Sequence, residues 1–155
     1  MPVISKRPRT PQGEALTTLI LQLFRVNSLI LAAGDRLAAH LGLTGARWQI
    51  LGAVVRAGHP QSVAWHARDL GTSRQNVQRI VNDLQELGFI TFATNPHHRR
   101  AQLVVVTGKG KEVYTAAMAL QAPWVDNISE GLTTRDLQAF ERVLLSMREK
   151  LESSG

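Results

Sequence analysis

Apolar residues set the layout of this chain. From Glu14 to Leu41 they recur at helical spacing. Leu16, Leu19, Leu23, Val26, Ile30, Ala33 and Leu37 alternate steps of three and four, the pattern of an a/d seam. Ile20, Phe24 and Leu31 widen the apolar surface beyond one stripe. A helix this long with two apolar faces has to bury both, one on its own domain and the other on a second chain. His40 continues the seam as its last member and is expected at a buried helix end. Gly42 is the stop signal. Thr44 caps a second helix through Ala57, with Trp48, Leu51, Val54 and Val55 on its apolar face. Gly58-His59-Pro60 ends it, since glycine and proline break the hydrogen-bond ladder.

A compact module follows. Ser62 caps a short helix that ends at Leu70-Gly71, and Gly71-Thr72 is a turn. Ser73 caps the next helix, through Leu87. Its inward face is Val77, Ile80, Val81, Leu84 and Leu87, while Arg74, Gln75, Gln78, Arg79, Asp83 and Glu86 lie mostly outward, and Gly88 closes it. Phe89–Phe92 and Gln102–Val106 read as strands, rich in aromatic and β-branched residues, with Asn95-Pro96 marking the turn between them. Thr107 caps a helix from about Lys109 to Ala122. Pro123 follows, and Trp124 to Glu130 continues irregularly or as helix. Thr133 begins the last helix, with Asp136 as its capping-box partner. The seam there is Leu137, Phe140, Leu144, Met147 and Leu151. Both terminal helices thus carry apolar seams with no obvious partner in so small a chain, which points to a homodimer with interlocking ends.

The polar residues of the module carry the chemistry. Arg, Gln and Asn at the start of a helix pair with base edges in a major groove. The hairpin tip, Asn95-Pro96-His97-His98-Arg99-Arg100, suits phosphates or a minor groove. Helix, turn, basic helix and cationic hairpin together read as a winged helix-turn-helix, and hence double-stranded DNA. The expected fold is mainly α with a small β-wing: a winged helix-turn-helix core flanked by N- and C-terminal dimerisation helices. In residues, 1–13 form a flexible basic arm and 14–155 a single domain, with 14–41 and 109–152 as dimerisation helices and 44–107 as the DNA-binding lobe.

Composition narrows the picture. The 155 residues are 44% hydrophobic, enough for a globular core. The formal charge of +6 favours a polyanionic partner. There is no cysteine, which excludes disulfides, thiolate catalysis and cysteine-based zinc sites and fits a reducing cytoplasm. No uninterrupted apolar run reaches the ~18 residues of a membrane span. Met1–Gly13 lacks the apolar core of a secretory signal, although its Lys6, Arg7 and Arg9 suit phosphate contacts.

In this order and spacing, three segments resemble the multiple antibiotic resistance regulator (MarR) family of winged-helix transcription factors. Ala67-Arg-Asp-Leu70-Gly71-Thr-Ser73-Arg74-Gln-Asn-Val77-Gln-Arg79 is similar to the family's helix–turn–recognition helix. Leu84-Gln-Glu-Leu87-Gly88-Phe89-Ile90 is similar to its lead into the wing. Arg99-Arg100-Ala101 through Val106-Thr107-Gly-Lys-Gly110 is similar to the returning strand and following helix. The match spans roughly Thr44 to Tyr114 at motif level. It implies a dimer on a pseudo-palindromic site, a recognition helix opening at Ser73 in the major groove, and a wing tip in the adjacent minor groove, with Arg100 as the wing arginine and Arg99 its basic neighbour. It further implies a repressor released by a small ligand bound between dimerisation helices and DNA-binding lobes. The chain departs from the family where His98 replaces an acidic residue before the basic pair, His66 an aliphatic one, and Thr72 an apolar one.

Roles follow from chemistry. Gln75 and Asn76, in the first turn of the recognition helix, are the best base readers. Ser73 and Arg74 suit phosphate at a helix N-terminus, and Gln78 and Arg79 suit either. Arg99 and Arg100 fit a narrow A·T-rich minor groove, where His97 and His98 add charge when protonated. The two adjacent histidines point to opposite faces of a hairpin and do not form a zinc site with the remaining His40, His59 and His66. His66, on an apolar face, reads as a hydrogen-bonded core histidine. Trp65 stands where a polar residue is expected and is partly exposed. Trp48 and Trp124 offer flat surfaces to an aromatic effector, although each alone also reads as an ordinary core aromatic. There is no nucleophile elbow, phosphate loop or metal-ligand helix, and helix capping accounts for Gly108-Lys-Gly110. The expectation is therefore a cytoplasmic, cofactor-free, non-enzymatic regulator, the alternative being a sequence-tolerant nucleoid-binding or protein-interaction module.

Overall fold

The protein is described by a computed structural model covering residues 8–154. Helix α1 runs Pro11–Ala38 and passes into a 3₁₀ turn, Ala39–Leu41. The elements that follow are α2 (Gly45–Arg56), β1 (Gln61–Ser62), α3 (Val63–Leu70), α4 (Arg74–Glu86), β2 (Ile90–Ala93), β3 (Leu103–Val106), α5 (Gly108–Ile128) and α6 (Thr134–Ser153). The chain forms two compact units, one ending at Leu120 and the other comprising 121–155. Lys6 and Arg7, placed in the basic arm, lie outside the described residues.

Local chemistry explains most boundaries. Thr10 caps α1 by accepting from Gly13 N, and a proline in the first turn costs no helical bond there. The helix therefore opens earlier than the apolar pattern suggests and takes in Pro11–Gly13, expected in the arm. Arg9, just before it, pairs with Glu14 at 3.8 Å on the surface. Thr44, Ser62 and Ser73 cap α2, α3 and α4, each accepting from the backbone N–H three residues on. Gly71, at φ 63°, makes the left-handed step between α3 and α4, which a residue with a Cβ adopts only at a cost.

The core of the first unit gathers α2, α3, α4 and the sheet. Leu51, Val77, Val81, Leu84 and Val104 are fully buried in it. The inward face read for α4 is borne out, with Leu87 half-buried at the helix end. Strands β2 and β3 pair antiparallel with Ile90 opposite Val106 and Ala93 opposite Leu103. The third strand, β1, pairs Gln61 with Val104 and was not foreseen. Two residues are too short for any alternation to show, and Ser62 doubles as a helix cap.

Helices α1 and α2 cross at backbone distance. A Cβ on Gly45 would lie 2.5 Å from Leu31 O, and one on Gly34 3.0 Å from Gly45 Cα. The Asp35 carboxylate accepts from Gly45 N at 2.6 Å across this crossing.

Four expectations are corrected. His40 is exposed, because α1 gives way to a 3₁₀ turn with three residues per turn and the seam loses register there. Helix α5 does not stop at Ala122 but runs through Pro123 to Ile128, so of the two continuations open for Trp124 onward the helical one holds. His66 is buried as expected, but neither ring nitrogen has a hydrogen-bond partner among the described residues. Finally, Pro11–Leu41 is long and apolar enough to cross a membrane by length and composition, since scattered Thr, Gln and Asn residues interrupt the apolar run without adding charge.

In the second unit Thr133 caps α6, accepting from Asp136 N, as its capping box predicts. No residue of α6 is buried.

Candidate nucleic-acid interface

The surface of interest is built on α4. Burial of Val77, Ile80, Val81 and Leu84 fixes which way that helix faces, so Arg74, Gln75, Gln78 and Arg79 are turned outward. The N-cap Ser73 and these four are exposed, and Asn76 is half-buried. An open cleft of about 660 Å³ lies along this face. Arg74, Gln75, Gln78, Arg79 and Asn82 form one wall. Ser62, Val63 and Ala64 at the start of α3 form another, and Phe92, Arg100, Ala101 and Gln102 complete it from the wing. The fold thus brings residues up to 40 positions apart in sequence to one concavity. No carboxylate lines it, and three arginines do. A cationic concavity without acids is suited to a phosphate backbone and to the acceptor-rich base edges beneath it.

Three side-chain hydrogen bonds order the outer face of α4. Asn76 Nδ2 donates to Thr72 Oγ1 at 3.2 Å, and Asn76 Oδ1 accepts from Arg79 Nη2 at 3.1 Å. In the free protein Asn76 therefore braces Arg79. Gln78 Nε2 donates to Asn82 Oδ1 at 2.9 Å. Asn82 was not singled out from sequence, although its place one turn after Gln78 and two turns after Gln75 puts it on the same face.

The wing tip lies beyond β2 and β3. Asn95 Oδ1 accepts from His97 N at 3.0 Å, and Ala101 N donates to His98 O at 3.0 Å, which shapes the turn. His97, His98, Arg99 and Arg100 are all exposed. Of these, only Arg100 reaches the wall of the cleft.

Two straps fix α4 to its scaffold. Arg47 on α2 meets Asp83 on α4 at 3.1 Å, and its guanidinium also reaches Gly42 O. At the far end of α4, Thr107 Oγ1 donates to Gly88 O at 2.6 Å and Lys109 Nζ donates to Leu87 O at 2.9 Å. The same threonine accepts from Gly110 N at 3.0 Å, so it caps α5 while closing α4. Helix capping thus accounts for Gly108-Lys109-Gly110, as the sequence predicts. A Cβ on Gly110 would lie 2.0 Å from Phe89 O, so only glycine allows α5 to start this close to the wing.

The remaining expected residues lie apart from this surface. His66 on α3 is fully buried beside the edge of Trp65, with ring centroids 5.2 Å apart. Burial holds its imidazole below the ordinary value, with Asp69 pulling in the opposite direction. Trp65 is half-buried, as foreseen. Trp48 is half-buried against the core of the first unit, and Trp124 is half-buried in the later part of α5.

Comparison with known proteins gives the same picture. Residues 41–101 match the MarR family model. The chain is 37% identical over 135 residues to the protein Rv2011c of Mycobacterium tuberculosis, covering 87% of this chain and 93% of that one. It is 29% identical over 103 residues to the transcriptional activatory protein BadR of Rhodopseudomonas palustris, covering 65% and 59%. The solved structure of the transcriptional repressor CouR bound to a 23-mer DNA duplex matches with a TM-score of 0.73 at 22% identity, covering 91% and 99%. The order of elements, the cationic cleft along α4 and these matches lead to one conclusion: this chain belongs to the MarR family of DNA-binding, winged-helix transcription regulators.

Proposed function

We propose that the chain acts as a cytoplasmic homodimer that represses transcription by reading a pseudo-palindromic operator and releases it on binding a small ligand. The observation that carries this reading is the shared cleft, in which the outer face of α4 and Arg100 of the wing line one acid-free concavity. In each half-site Gln75 and Asn76 read base edges from the first turn of α4. Ser73 and Arg74 hold phosphate, Gln78 and Arg79 serve either purpose, and His97, His98, Arg99 and Arg100 follow the adjacent minor groove.

The homodimer is supported by apolar side chains left in water. On α1, Leu21, Phe24 and Leu29 are exposed, and on α6 so are Leu137, Phe140 and Leu144. Large apolar side chains left exposed in such number on one helix mark an interaction site. A second copy covering α1 accounts for its membrane-like composition, and sedimentation with and without lipid vesicles separates the two: a vesicle-bound monomer overturns the dimer. A dimer places two recognition helices about one helical turn apart, on the order of 10 base pairs.

Trp48 and Trp124 supply aromatic surface of the kind a flat effector would use. The ligand step is a coupling of equilibria. An effector that prefers the DNA-incompetent form weakens DNA binding by the factor by which DNA weakens effector binding. The proposed role is one of binding, as befits the family whose model the chain matches. BadR is named an activatory protein and CouR a repressor, so an operator placed upstream of the promoter rather than across it would turn the same binding into activation.

The test is selection from a randomised duplex pool at physiological salt. An enriched inverted repeat with one-turn spacing supports a specific dimeric regulator. Binding without enrichment favours a sequence-tolerant nucleoid protein instead, and absence of binding favours a protein partner.

A further inference from the structure

We propose that Asn82 is a positioning residue for base recognition, holding the Gln78 carboxamide in the one orientation that reads adenine. The inference rests on the DNA-reading surface described above and extends it to a residue outside the first turn of α4.

A glutamine carboxamide carries two N–H donors and one carbonyl acceptor. Its terminal torsion is broad and two-fold, so a free glutamine offers either end to a groove. Here a neighbour on the same helix biases that choice. Gln78 Nε2 donates to Asn82 Oδ1 at 2.9 Å, one helical turn away, and both residues line the cleft. One N–H is thereby used, which leaves Gln78 with one N–H and its carbonyl oxygen.

That remainder matches one base edge. Adenine shows the major groove an acceptor, N7, beside a donor, N6–H, and is met by one N–H and one carbonyl. Guanine shows two acceptors, O6 and N7, and the single remaining N–H satisfies only one of them. The orientation fixed by Asn82 therefore favours adenine and penalises guanine at the same position. In water such an exposed side-chain pair holds weakly. As the groove closes over it and water leaves, the bond strengthens and orients Gln78 where orientation matters. The neighbouring pair behaves differently. Asn76 Oδ1 accepts from Arg79, a donor-only side chain whose preference for guanine needs no amide orientation.

The test is selection from a randomised duplex pool with the full-length protein and four variants, Gln78→Ala, Asn82→Ala, the double variant and Asn82→Asp. Gln78→Ala and Asn82→Ala should each lose preference for adenine at the same base pair of each half-site, by roughly tenfold. The double variant should lose no more than either single one. Asn82→Asp keeps an acceptor for Gln78 Nε2, so it should retain the adenine preference while binding every sequence more weakly through its added negative charge. A merely structural role for Asn82 would weaken all sequences alike. An Asn82→Ala profile identical to the wild type, or an Asn82→Asp profile that loses adenine as Asn82→Ala does, overturns the proposal while leaving the DNA-reading surface intact. A wild-type pool with no enriched sequence overturns sequence-specific reading itself, and this proposal with it.

Discussion

Helices α4 and α6 are written in nearly the same pattern and end in opposite situations. Each has apolar residues at steps of three and four and polar residues between them. In α4 the apolar stripe is consumed by its own chain, and Val77, Val81 and Leu84 are all at 0% exposure. In α6 no residue is buried, and Leu137, Phe140 and Leu144 remain in water. Periodicity tells that a face must be covered but not by what. For α4, the cover is intramolecular and the polar face is left to work. For α6, the apolar face itself is what remains to be used.

The comparison breaks most sharply at the core. Leu84→Ala should destabilise the first unit by about 2–5 kcal/mol, because a fully buried side chain leaves a cavity. Phe140→Ala should leave that unit's stability unchanged and shift the monomer–dimer equilibrium instead. Denaturant melts and sedimentation measure the two. Equal destabilisation by both would show that α6 is part of the folding core and not an assembly surface.

The polar face of α4 gives the next effect. Gln75 is exposed, and among the described residues no side chain is bonded to its amide. Gln75→Ala should cost roughly 1–3 kcal/mol on the preferred operator and relax base choice at one position per half-site. If binding weakens equally on all sequences, Gln75 acts on the backbone and not on a base.

A buried residue that finds no partner sharpens the contrast from inside. His66 is at 0% exposure, and among the described residues neither ring nitrogen has a partner. Replacing it with leucine should raise stability by about 1 kcal/mol at pH 7, since an orphaned polar group is removed. The pH dependence has a definite sign. Burial lowers the folded-state value below 6.5, so the unfolded chain takes up the proton first as pH falls. Stability is full above pH 6.5 and declines below it until the folded-state value is passed. Thermal melts from pH 7.5 to 5 should therefore show the advantage of His66→Leu growing as pH drops. An advantage that stays constant would place the titration elsewhere.

The smallest effect belongs to the wing. Arg100→Ala should reduce the slope of log affinity against log salt by about one, the loss of a single phosphate contact. An unchanged slope would remove Arg100 from the interface.

Much of this was legible in the sequence because side chains announce local structure directly. Thr44, Ser62, Ser73 and Thr133 each cap the helix they precede. The inward face of α4 follows from spacing alone. What escaped reading depends on partners distant in sequence. β1 is two residues long and exists only because β3 pairs with it. His66 was expected to find a hydrogen bond, and whether one is available depends on what α3 packs against. Asn82 looked like one more polar residue until the Gln78 amide was seen to donate to it. His40 lay on a well-formed seam, but a local change from α to 3₁₀ geometry turned it outward.

The glycines where backbones touch have a consequence for genetics. Gly45 sits against Leu31 O and Gly110 against Phe89 O, where no side chain fits. Neither lines the cleft along α4. In a screen for mutants that lose regulation, substitutions at these two positions will be recovered alongside those at Gln75 or Arg100 and score alike. Only the amount of folded protein in each cell will separate a broken frame from a blinded reader.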